Sequence, residues 1–110
     1  MISWNDFEKI DLRAGTIVEV EDFPEARRPS YKLWVDFGEE IGIKKTSAQI
    51  TKLYTKAQLM NRQVICVTNF APRQIGKFMS EVLITGFPNA SGEVILASID
   101  KEVPNGVKLF

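Results

Sequence analysis

Histidine is absent from this 110-residue chain, and cysteine occurs once, as Cys66. The first absence removes every His-based general base, Ser-His relay and His-ligated zinc site. The single thiol excludes an internal disulfide and a Cys-rich metal site, and it suits a reducing compartment. Set within Val64-Ile65-Cys66-Val67, it reads as a small buried hydrophobe rather than a reactive group. Neither G-x-x-x-x-G-K nor G-x-G-x-x-G occurs, so no glycine-rich phosphate cradle is expected. No apolar run approaches the roughly 20 residues that a membrane-spanning helix needs. The opening Met1-Ile2-Ser3-Trp4-Asn5-Asp6-Phe7-Glu8-Lys9 has no basic stretch followed by an apolar one, so no signal peptide is read there. The expectation is one cytoplasmic globular domain over residues 1–110, non-catalytic, with no metal or other cofactor and no membrane insertion.

Lys and Arg total 14, as do Asp and Glu, and this net charge of zero conceals a strong polarity. Arg27, Arg28, Lys32, Lys44, Lys45, Lys52, Lys56, Arg62, Arg73 and Lys77 fall in the central segment, where only Asp36, Glu39 and Glu40 oppose them. That segment carries +7, the residues before it −5 and those after it −2. A polyanion is attracted to one part of such a surface although the whole molecule is neutral. The adjacent carboxylates Glu21–Asp22 and Glu39–Glu40 fall at a strand end and a turn, where they read as solvated rather than catalytic.

Along the chain, Ser3 is placed to cap a short helix with Asp6 three positions on, and Trp4, Phe7 and Ile10 recur on one face. From Leu12 to Phe23 the pattern alternates, with Leu12, Ala14, Thr16, Val18 and Val20 on one side, Arg13, Ile17, Glu19 and Glu21 on the other, and a bend at Gly15. Phe23 to Ser30, bracketed by Pro24 and Pro29, reads as a loop. A second strand begins at Tyr31, a turn spans Gly38 to Gly42, and a third strand runs from Ile43 to Ile50. Thr55 is a candidate cap for a short helix within Thr51 to Asn61. Gln63 to Phe70 reads as a strand covered on both faces, Ala71 to Lys77 as a loop, and Glu81–Phe87 with Glu93–Ile99 as a hairpin. The order β-β-β-α-β-β predicts an all-β protein with minor helices: an OB-fold, the five-stranded Greek-key barrel, preceded by an N-terminal helical segment.

In that architecture, strands two and three and the neighbouring loops form the oligonucleotide-binding face. The candidate RNA-binding residues are Arg27, Arg28, Lys32, Lys44, Lys45, Arg73 and Lys77 for phosphates, with Asn69 and Ser80 for polar contacts. The stretch Asn69-Phe70-Ala71-Pro72-Arg73-Gln74-Ile75-Gly76-Lys77-Phe78-Met79-Ser80 interleaves aromatic, basic and amide groups, as base stacking and backbone gripping require. Phe70 reads as core and Phe78 as partly open. A rival meaning of the same stretch is a hydrophobic groove for peptides formed by Phe23, Ile75, Phe78 and Met79, since Met and Phe repack around different ligands.

The run Phe7-x-x-Ile10-Asp11-Leu12-Arg13-x-Gly15-x-Ile17 resembles the opening signature of the EMAP-type tRNA-binding domains, and Asn69-Phe70, Gly76 and Ser80-Glu81 continue the likeness. Phe23-Pro24-Glu25-Ala26-Arg27, Lys45-Thr46-Ser47-Ala48-Gln49-Ile50-Thr51 and Ser80 to Phe87 are similar to the CsaA branch. The resemblance implies an OB-fold homodimer whose N-terminal segment and terminal strands help to form the interface. It also implies binding of tRNA or other structured RNA and a secretion-associated, chaperone-like activity on unfolded or exported polypeptides. An alternative is an export chaperone that binds peptides and has no physiological RNA ligand. The wider family's Ser-x-Gly-Met is replaced here by Ser80-Glu81-Val82-Leu83, and its Ser-Gly-Ile by Ser47-Ala48-Gln49-Ile50. These departures imply an altered tRNA contact.

Overall fold

The computed structural model describes all residues, Met1–Phe110. It opens with helix α1 (Trp4–Glu8), held by a reciprocal cap. The Ser3 hydroxyl accepts from the Asp6 N–H at 3.2 Å, and the Asp6 carboxylate accepts from the Ser3 N–H at 3.0 Å. Two orphan donors of the first turn are thereby satisfied. None of the residues of α1 is fully buried, and only Phe7 is half-buried.

Five strands build the barrel: β1 (Leu12–Asp22), β2 (Tyr31–Asp36), β3 (Ile43–Ala48), β4 (Gln63–Val67) and β7 (Leu83–Ile84). Their order is β3-β2-β1-β4-β7, and every pairing is antiparallel. A seam from β3 to the residues before β7 brings the sheet round on itself. Glu81 N–H donates to the Lys45 carbonyl at 2.8 Å, and the buried Thr46 hydroxyl donates to the Val82 carbonyl at 2.7 Å. A short helical turn, α2 (Gly38–Ile41), joins β2 to β3, where a plain turn was expected. Helix α3 (Lys56–Leu59) lies between β3 and β4, capped as expected by Thr55, with Gln58 completing the box. The nearly closed five-stranded barrel with its interposed helix is the OB-type architecture.

The core follows the strand period. Tyr31, Leu33 and Val35 point inward from β2 and meet Ile17, Phe37, Leu59, Val64 and Cys66. Cys66 is fully buried, and burial pushes its thiol up to about 12. The alternation expected along all of β1 is interrupted. Ile17 enters the core and Val18 lies exposed, and the register against β2 shifts between Ile17 and Glu19, so that Val20 packs against the same core as Ile17. One extra residue in a strand reverses the facing of those beyond it. Gly15 allows the barrel to close tightly, since a Cβ there would stand 2.5 Å from a Val35 methyl. Gly106, at φ +93°, lets the C-terminal segment turn back against Phe37; its N–H donates to the Ala14 carbonyl at 2.8 Å.

Two small hairpins project from the barrel: β5 (Arg73–Ile75) with β6 (Phe78–Ser80), and β8 (Gly86–Pro88) with β9 (Val94–Leu96). The first replaces the loop expected over Ala71 to Lys77. Gly76, at φ +61°, makes its tight reversal possible, because glycine takes a left-handed conformation without Cβ strain. No helix of the chain is long and apolar enough to cross a membrane.

Candidate nucleic-acid interface

Three parts of the chain converge beside the end of β3. They are the loop between β1 and β2, the residues Ser47 to Ile50, and the β5–β6 hairpin. Together with β7 and β9 they enclose a groove of about 840 Å³. Arg27 and Arg28 line it from the first loop and Arg73 from the hairpin, with Gln49 and Gln74 among the polar residues and Glu25 as the one acid. The floor is apolar and includes Ile50, Ile75, Leu83, Ile84 and Leu96. The inter-strand loops beside strands two and three are where this fold receives oligonucleotides.

The cations of the groove are free. Of the ten in the central segment, only Lys56 reaches a carboxylate, Asp22 at 3.0 Å. The remaining ion pairs of the molecule use Lys9, Arg13 and Lys108. Arg27, Arg28 and Arg73 therefore present guanidinium groups uncommitted to any carboxylate. Each offers a rigid fork that matches a phosphate in two places.

The other expected residues divide among different tasks. Lys32 and Lys45 lie over the Phe78 ring, with ammonium nitrogens 5.6 and 5.2 Å from its centroid; Lys32 also lies 4.9 Å from that of Phe23. Phe23 and Phe78 pack at 5.3 Å, and Trp34, not singled out from sequence, meets Phe78 edge-on at 6.3 Å. Phe78, expected to be partly open, is thus buried. Phe23 is 5% and Phe78 8% exposed, because the hairpin folds Phe78 down onto β2. Ile75 does line the groove, and Met79 is exposed opposite Gln74. Lys77 lies exposed at the hairpin reversal.

Asn69 and Ser80 are engaged within the chain. The Asn69 amide accepts from the Asp11 N–H at 3.1 Å and donates to the Lys9 carbonyl at 2.7 Å, tying the entry of β1 to the exit of β4. The Ser80 hydroxyl lies 3.1 Å from that of Thr46, at the barrel seam.

Lys44 belongs to a second cavity of about 360 Å³ at the opposite mouth of the barrel, shared with Asp11, Arg13, Thr68, Phe70 and Glu81. Phe70, expected in the core, is 59% exposed. Phe70 lies beyond the end of β4 at Val67, and Pro72 two residues further on was the sequence signal that the strand does not continue. Asp11 accepts from Arg13 Nε at 2.9 Å and from the Thr68 hydroxyl. Partial burial pushes the Asp11 carboxyl up, but Thr68, Arg13 and Lys108 together hold it below its ordinary value.

Residues 12–108 match the family described as "Putative tRNA binding domain". The methionine–tRNA ligase of Pyrococcus furiosus is 37% identical over 108 residues, 98% of this chain; the chain spans 14% of that ligase's length. Two solved structures are similar throughout. The chaperone CsaA of Bacillus anthracis is 44% identical with a TM-score of 0.93, covering 100% of this chain and 99% of that one. The CsaA chaperone protein of Picrophilus torridus is 50% identical with a TM-score of 0.92 and full coverage of both chains.

Proposed function

We propose that this chain, which belongs to the tRNA-binding domain family, is an RNA-binding module that grips tRNA or another structured RNA in its arginine groove. The observation that carries this reading is the convergence of Arg27, Arg28 and Arg73, distant in sequence, on one groove with no carboxylate paired to them. Family membership supplies the class of polyanion. Lys32 and Lys45, above Phe78, extend positive charge along β2 and β3 from the groove. Each phosphate neutralised releases counterions, so tRNA affinity should fall steeply with salt. The test is a salt series on the chain and on the triple variant Arg27→Glu, Arg28→Glu, Arg73→Glu. The variant should lose most of its low-salt affinity, and its log–log salt slope should be shallower by about 2–3. Unchanged slope and affinity would place the interface elsewhere.

A second reading is favoured by the groove's apolar floor. Ile50, Ile75, Leu83 and Ile84 offer a surface for an extended, unfolded polypeptide, and the two full-length structural relatives are chaperones. On this reading the chain holds unfolded or exported clients in the same groove. Apolar burial is not screened by salt. Capture of an unfolded protein should therefore survive a salt concentration that releases tRNA, and excess unfolded protein should displace tRNA at low salt. Independent, non-competing binding of the two would remove peptides from this groove.

A dimer completes the proposal. Ile2 and Trp4 before and within α1, and Phe110 at the other terminus, are exposed. A five-residue helix with only Phe7 half-buried is marginal in water. A second copy covering these apolar ends accounts for both facts. Sedimentation should give twice the chain mass, and Trp4→Asp should return it to the monomer.

A further inference from the structure

The cavity at the mouth opposite the groove has no part in the reading above. Its volume, about 360 Å³, lies in the range of small-ligand pockets. Both of its carboxylates are occupied from within the chain. Asp11 accepts from Arg13 and Thr68, and Glu81 accepts from the Lys45 N–H at 3.1 Å. Lys44 has neither a carboxylate nor a hydrogen-bond partner assigned to its ammonium group, and it shares the cavity with the exposed ring of Phe70. What the cavity offers outward is thus one free cation and one aromatic face.

We propose that this cavity is a stacking subsite for a single unpaired nucleotide, with the base on the Phe70 ring and the adjoining phosphate on Lys44. An aromatic face takes any base, whereas a duplex end offers no splayed base to insert. The subsite rests on the RNA reading of the groove and extends it. Lys44 is the second residue of β3, and Ser47 on the same strand lines the groove, which separates the two by about 10 Å of strand at 3.3 Å per residue. An RNA gripped by the arginines reaches Phe70 with two or three further nucleotides. The expected ligand is a structured RNA carrying a short single-stranded extension.

The probes are a blunt RNA hairpin and the same hairpin with a four-nucleotide 3′ or 5′ extension containing 2-aminopurine. The chain should bind one extended form more tightly than the blunt form, with quenching of the 2-aminopurine. Phe70→Ala should lose about tenfold to a hundredfold on the extended RNA and leave the blunt hairpin unchanged. Phe70→Trp should retain the preference, and Lys44→Ala should reduce it. Circular dichroism of each variant checks folding, which an exposed side chain leaves undisturbed. If the chain binds both hairpins and Phe70→Ala alters neither, the subsite is overturned while the groove stands. If neither RNA binds at low salt, the groove reading fails and the subsite with it. A change of oligomeric state in Phe70→Ala would overturn the proposal by showing a second copy seated on the ring.

Discussion

The barrel wall and the groove rim solve opposite problems with neighbouring residues. In β2, Tyr31, Leu33 and Val35 are buried, each matched to partners across the sheet. At the rim, Arg27, Arg28 and Arg73 are left without internal partners, and the hairpin that carries Arg73 is two three-residue strands about a glycine. The wall derives stability from satisfied contacts. The rim keeps its chemistry available because the fold leaves it unsatisfied. The proposed RNA-binding groove sits where the internal pairing stops.

The sharpest break in that comparison is a pair of single changes. Leu33→Ala, at a fully buried position, should cost about 2–5 kcal/mol of stability through lost burial and a cavity, read by urea unfolding. Arg73→Ala should stay within about 0.5 kcal/mol and lower RNA affinity instead. Equal stability losses would erase the distinction between wall and rim.

Phe78 tests the boundary between them. Its ring is buried under two lysines and against Phe23, so Phe78→Ala should cost about 1.5–3 kcal/mol. A groove-lining aromatic would instead lower peptide capture at unchanged stability. Asn69→Ala removes two hydrogen bonds between the entry of β1 and the exit of β4. A loss of about 1–2 kcal/mol, with faster amide exchange near Asp11 and unaltered RNA affinity, marks it as a structural tie.

The smallest effect concerns pH. The Asp11 carboxyl is held below its ordinary value of 3.8, so its contribution is fully present above the unfolded value and is lost as pH falls through the folded one. Melting temperature should therefore drop on acidification below about pH 4. Asp11→Asn should flatten that limb while lowering stability at neutral pH. An unchanged acid limb would show that other carboxylates govern it.

Local chemistry made much of this legible from sequence. Both helix caps are written in four-residue motifs, Ser3 to Asp6 and Thr55 to Gln58, and the strand order follows from alternation and turn residues. The groove arginines were identifiable because charge and loop position are local properties. The misread residues depend on distant partners. Phe70 and Phe78 exchange their expected environments because β6 lies along β3 and carries Phe78 onto Trp34, a contact no spacing rule encodes. Val18 lies outward beside the buried Ile17, and a register shift in the pairing with β2 brings Val20 back to the core. The hydrogen bonds of Asn69 to Asp11 and Lys9, and of Ser80 with Thr46, join segments far apart in sequence.

Cys66 provides a built-in clock for the whole barrel. Its sulfur lies within β4, fully enclosed, and its thiolate is scarce at physiological pH. Alkylating reagents should label it only in molecules that have come apart. The labelling rate, measured with and without saturating RNA, then reports how much bound ligand slows global opening.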